Sequence, residues 1–168
     1  MRSLFLFLAS ALVLSGGTPT ANDELWPRVL VGNEATQGAL RMALVRASGL
    51  LARPECRVVL DQFRDRSGNR LSDNLKALGV DERTYLKQLV FRDGSTMRPC
   101  DRETTFMFTT PGSRVVFVCD QQMARIIFRQ QTLVTTLVIH EALHTLGLGE
   151  NPPRSDQITA RVAAHCPG

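Results

Sequence analysis

The segment "TLVTTLVIHEALHTLG", Thr132 to Gly147, carries Leu133, Leu137, Val138, Ala142, Leu143 and Leu146 around most of the circumference of a helix. A helix that is apolar on nearly every side cannot lie on a surface, so it must run through a core with other elements packed around it. Gly147 and Gly149 then end it, and Pro152-Pro153 prevent its return. The chain has 168 residues, enough to wrap one such helix in a single domain and too few for two comfortable cores.

The rest of the pattern supplies the wrapping. "NEATQGALRMALVRASGLLA", Asn33 to Ala52, places Leu40, Ala43, Leu44, Ala47 and Leu51 on one helical stripe, which Pro54 stops. "CRVVLDQF", Cys56 to Phe63, has the β-branched pair and the length of a strand. "RDRSGNR" reads as a turn, "LSDNLKALGV" as a helix ending at Gly79, and "DERTYLKQLVF" as a further helix with an acidic first turn. The two β-prone runs Thr104 to Thr110 and Ser113 to Cys119, separated by Pro111-Gly112, predict a hairpin. A helical pattern resumes at Asp120, breaks near Gln130, and leads into the central segment. Ser155 is the expected N-cap of a last helix carrying Ile158 and Val162.

Residues 2–21 place one Arg before an apolar run from Leu4 to Leu14 and then small residues, the layout of a secretory signal peptide. The run is too short to anchor a mature protein in a bilayer. The expected organisation is a signal peptide over residues 1–21 and a single domain over 22–168, exported as a secreted or periplasmic protein with no membrane span after signal removal. Cys56, Cys100, Cys119 and Cys166 all follow the leader, and an even count in an exported chain predicts two disulfides. Of the three connectivities, Cys56–Cys100 with Cys119–Cys166 is preferred, because each then closes a segment that reads as one structural unit. The formal charge of +4 comes from eighteen scattered Arg against two Lys, with one Trp and one Tyr and no basic-aromatic stripe, so no nucleic-acid partner is expected.

The central helix also holds two of the three histidines. Positions i and i+4 share a helical face, so His140 and His144 can present imidazole nitrogens to one metal ion. Glu141 is one residue round, placed to act on a water at the metal rather than to ligate it.

"HEALHTLGLGE", His140 to Glu150, resembles the extended signature of the zincin metallopeptidases, in particular the metzincin form HExxHxxGxxH and its variant with an acid in last place. The resemblance implies Zn2+ on His140 and His144, with Glu141 as catalytic base and Glu150 as the preferred third ligand; an arrangement that takes its third ligand from a later helix would use Asp156 or His165 instead. Gly147 matches the glycine that lets the chain leave the helix sharply. It further implies an α+β, zincin-like fold in which a small sheet with the hairpin at its edge packs on the active-site helix and a C-terminal helix closes the core. The methionine turn that follows the signature in metzincins has no counterpart in the eighteen residues after Glu150. The function so implied is an exported zinc-dependent metallopeptidase acting on a peptide or protein substrate. The alternative is a non-catalytic zinc-containing or disulfide-stapled envelope binding module of the same fold. A second oxyanion donor would have to come from Tyr85, the only tyrosine, or from Arg125 or Arg154.

Overall fold

A computed structural model describes residues 27–168, so the expected signal peptide lies outside the described residues. Strand β1 (Arg28–Leu30) leads into helix α1 (Glu34–Leu51), followed by α2 (Pro54–Gln62), α3 (Leu71–Ala77) and α4 (Glu82–Lys87). Strand β2 (Val90–Asp93), a 3-10 turn (Arg98–Asp101), the hairpin β3 (Met107–Thr109) and β4 (Val115–Val118), and helices α5 (Asp120–Ile126), α6 (Gln131–Thr145) and α7 (Ser155–His165) complete the chain. The fold is mixed, with helices packed on a four-stranded sheet of order β1-β2-β4-β3. β1, β2 and β4 are parallel and β3 is antiparallel at one edge.

The sheet presents one face to the helices. Val29, Phe91 and Val116 stand in register across three strands and are all buried. On the other face, Leu30 is 53% exposed, and Phe108 and Phe117 stack with ring centroids 5.3 Å apart. α6 is the pivot of the helical layer, touching α1, α7, β3 and β4. Val134, Val138, Ile139, Ala142 and Leu143 on it are buried, as are its polar residues His140, Glu141 and His144.

Local chemistry explains most of the boundaries. The Asn33 side chain accepts the N–H groups of Ala35 at 2.9 Å and Thr36 at 3.2 Å, opening α1 where the sequence places its start. Asp81 does the same for α4, accepting from Thr84 N at 2.6 Å. Ser155 opens α7 without capping it: the residue before the helix is Arg154, whose N–H donates to Gln157 Oε1 at 3.0 Å.

Three further expectations are corrected. The segment Cys56–Phe63 is helical rather than a strand. Pro54 sits in the first turn of α2, where its missing N–H costs nothing, and the buried residues Cys56, Val59 and Leu60 follow helical spacing while Val58 is 40% exposed. The run "DERTYLKQLVF" is divided between α4 and strand β2, which is too short to show a period of its own and gains its place by pairing on both sides. The disulfides are Cys56–Cys166 and Cys100–Cys119, not Cys56–Cys100 and Cys119–Cys166. Because α2 packs on α7, Cys56 meets Cys166 across that contact. The hairpin meanwhile returns Cys119 to the segment before β3, its N–H donating to Phe106 O at 2.9 Å, and so brings it beside Cys100.

Two disulfides are the mark of a chain that matures in an oxidising compartment. No described helix is long and apolar enough to cross a membrane.

Candidate metal centre

The last turns of α6 and the loop that follows build the site. His140 and His144 are one turn apart on the buried helix, and the chain then reverses at Gly147, which has φ +111. A Cβ at Gly147 would stand 3.1 Å from the Cβ of Asp65, so both backbone conformation and space call for glycine. The reversal carries Glu150 back over the two imidazoles. His140 Nε2 and His144 Nε2 are 3.0 Å apart, and Glu150 Oε1 lies 3.8 Å from the first and 3.3 Å from the second. Two donors at about 2.0–2.1 Å from one tetrahedral ion are separated by about 3.3 Å, and these three edges bracket that value. The three donors are spaced so that they could hold one metal ion.

The hydrogen bonds around the ring support the same tautomers. His144 Nδ1 must donate to the carbonyl of Leu148, 2.7 Å away, which leaves a lone pair on its Nε2. His140 Nδ1 is 2.9 Å from Thr159 Oγ1 on α7; when it donates there, its Nε2 lone pair faces the same point as that of His144. Burial, and then the neighbouring His144, push the His140 pKa down to about 3, so the imidazole is neutral and free to act as a ligand.

Glu141 is 5% exposed, and its Oε2 has no hydrogen-bond partner among the described residues. Burial, reinforced by the Glu150 carboxylate, pushes its pKa up to about 8. An unpartnered buried carboxyl costs stability, and Glu141 lines the same cleft as His140, His144 and Glu150. The cleft measures about 510 Å³ and is walled on one side by Thr104 to Thr109, the edge strand and its approach.

The other residues considered from sequence are engaged elsewhere. Asp156 is ion-paired with Arg154 at 2.7 Å, and His165 Nε2 contacts Gln62 Nε2 at 2.8 Å. Among the described residues, only His140, His144 and Glu150 form a group of potential ligands converging on one point. Tyr85 is buried, with its hydroxyl donating to Thr145 Oγ1 at 2.9 Å, and burial raises its pKa; neither it, Arg125 nor Arg154 lines the cleft. Reasoning from sequence missed Thr159, although it borders the buried Ile158 on the last helix and a polar residue beside an apolar stripe is a usable signal.

The turn expected over Arg64–Arg70 forms, and it supports the ligand loop, a role that its own residues do not mark. Asp65 Oδ1 accepts from Ser67 N at 2.8 Å and Asn69 N at 2.9 Å, and Oδ2 accepts from Asn74 Nδ2 at 2.9 Å. The Asn74 amide also donates to Leu146 O at 2.9 Å, and Asp65 bridges Leu148 in antiparallel fashion. The reversal at Gly147 is thus held from outside by residues some 70 to 80 positions earlier.

Comparison of the chain with models of known protein families, with curated proteins and with solved structures finds no match in any of the three.

Proposed function

We propose that this chain is an exported zinc metallopeptidase of the zincin type. The observation that carries the reading is the convergence of His140 Nε2, His144 Nε2 and Glu150 Oε1 beside the buried, unpartnered carboxyl of Glu141 in one cleft. Nitrogen donors with one carboxylate suit zinc among the common divalent ions. A bound zinc ion would polarise a scissile carbonyl and acidify the attacking water.

Glu141 takes the water's proton and passes it to the leaving amine; a cation held beside it would favour the ionised carboxylate that this task needs. Thr159 and the Leu148 carbonyl hold the two imidazoles by their Nδ1 atoms, fixing which nitrogen faces the ion. Among the described residues no strand pairs with the outer edge of β3, and an extended peptide can add to it by main-chain hydrogen bonds. The two disulfides support export to a secreted or periplasmic location.

Elemental analysis of the disulfide-intact protein tests the site. About one zinc per chain is expected, lost in His144→Ala and weakened in Glu150→Ala. A peptide-library digest should then show cleavage that disappears in Glu141→Gln while zinc is retained. An unmutated protein that holds no zinc after reconstitution would sink the hydrolase and leave a disulfide-stapled binding module.

A further inference from the structure

Two arginines that the proposed mechanism does not use line the cleft over the metal centre, Arg66 and Arg102. Both stand on rigid supports. Arg66 follows Asp65 in the turn closed by the Arg64–Arg70 bridge, and Asp65 ties that turn to the ligand loop through Leu148. Arg102 follows the 3-10 turn, on a segment stapled to the end of β4 by Cys100–Cys119.

Gly149 shows how closely Arg66 is fitted. A Cβ at that position would lie 3.5 Å from Arg66 Nε and 3.8 Å from its Cγ, so the bare backbone one residue before Glu150 is the surface on which the Arg66 side chain rests. Among the described residues neither guanidinium is ion-paired: the groups that meet Glu150 are His140 and His144. Two exposed guanidinium groups, hydrated in the free protein and each with donors to spare, line a cleft where a bound anionic group could exchange that water for direct hydrogen bonds.

We infer that Arg66 and Arg102 select peptides bearing a carboxylate close to the bond held at the metal. A guanidinium binds a carboxylate through two parallel N–H···O bonds, a geometry that a neutral amide cannot match. The carboxylate can belong to an Asp or Glu side chain or to a free C-terminus. This inference rests on the metallopeptidase reading for its substrate, and its test separates the two.

The experiment measures binding of fluorescent peptides to the zinc-loaded Glu141→Gln protein by anisotropy. Three peptides share one sequence: neutral with a C-terminal amide, acidic at flanking positions with a C-terminal amide, and neutral with a free C-terminus. A carboxylate-bearing peptide should bind roughly tenfold tighter than the neutral one, the order expected of a charge-assisted pair at a partly exposed site. The arm that shows the gain identifies the source, and the gain should shrink as salt is raised. Arg66→Gln and Arg102→Gln should each remove part of the preference and the double variant all of it, with zinc content unchanged. Equal affinity for the three peptides, no binding of any, or a preference that survives in the double variant would overturn the inference. Loss of zinc in Arg66→Gln would overturn it too, because Arg66 would then support the ligand loop rather than the substrate. A carboxylate preference without turnover in the unmutated protein would sustain the inference and sink the peptidase reading. Turnover without preference would do the reverse.

Discussion

His140 and Glu141 are sequence neighbours buried in one helix, yet their protonation is displaced in opposite directions, and each displacement sets a limb of a stability profile. The folded His140 titrates at about 3 against an ordinary 6.5, so between those values the unfolded chain binds more protons and stability rises with pH. The folded Glu141 titrates at about 8 against an ordinary 4.5, so across that window the folded chain binds more protons and stability falls as pH rises. The two slopes offset each other where the windows overlap. Metal-free protein should therefore melt highest on a plateau between pH 4.5 and 6.5, with scanning calorimetry in chelator as the measurement. Glu141→Gln should abolish the fall on the alkaline side, and zinc should flatten it, since a cation nearby favours the ionised carboxylate. Persistence of that fall in Glu141→Gln would assign it to another group. Thr159 carries a second expectation. Thr159→Val keeps the shape and removes the oxygen that meets His140 Nδ1, and should weaken metal affinity by roughly 10- to 100-fold with little change in fold. Competition with a chromogenic chelator reads this directly. The grouping of His140, Glu141 and His144 is legible from spacing alone, because i, i+4 geometry is a local fact; Glu150 is preferred over Asp156 and His165 only through the resemblance to the extended signature. The supports from Thr159, Asp65 and Asn74 are not legible in this way, because the residues of the centre that they reach, His140, Leu148 and Leu146, lie 19 to 83 positions away.

Among the elements, those with strong local signals are where the sequence places them: α1 with its Asn33 cap, the Pro111-Gly112 hairpin, the break near Gln130 and the apolar helix α6. The misreadings share a physical cause. A run of eight residues with two adjacent valines satisfies either period, and only the packing of α2 on α7 decides that Cys56, Val59 and Leu60 face inward. Strands β1 and β2 are three and four residues long, and they exist because neighbours supply their hydrogen bonds rather than because their own residues demand it. The helical reading of α2 makes a sharp prediction. A strand would bury Val58 with Cys56 and Leu60, whereas the helix exposes Val58 and buries Val59 completely. Val59→Ala should cost roughly 1–3 kcal/mol in denaturant unfolding, and Val58→Ala less than about 0.5 kcal/mol. The reverse ranking would restore the strand.

At the level of the whole molecule, the candidate metal centre is assembled between helices that only long-range contacts hold together. α6 brings the two histidines, the loop after it brings Glu150, and α7 brings Thr159. α7 is fixed at its C-terminal end by Cys166 to Cys56 on α2, closing a span of 110 residues, while Cys100–Cys119 closes only 19. Chain entropy alone makes the longer closure worth about 5 kcal/mol and the shorter about 3 kcal/mol relative to the open chains. Position separates them further. The first disulfide secures the helix that orients His140; the second secures the segment leading to the edge strand, on which no metal ligand stands. Replacing Cys56 and Cys166 with Ser should therefore cost more global stability and weaken zinc affinity as well. Replacing Cys100 and Cys119 with Ser should cost less and leave zinc affinity close to that of the intact protein, while impairing whatever binds along the cleft wall from Thr104 to Thr109. Denaturant unfolding paired with zinc titration of the two double variants measures both effects. Equal loss of zinc affinity in the two would mean that the centre depends on the fold as a whole and not on the anchoring of α7.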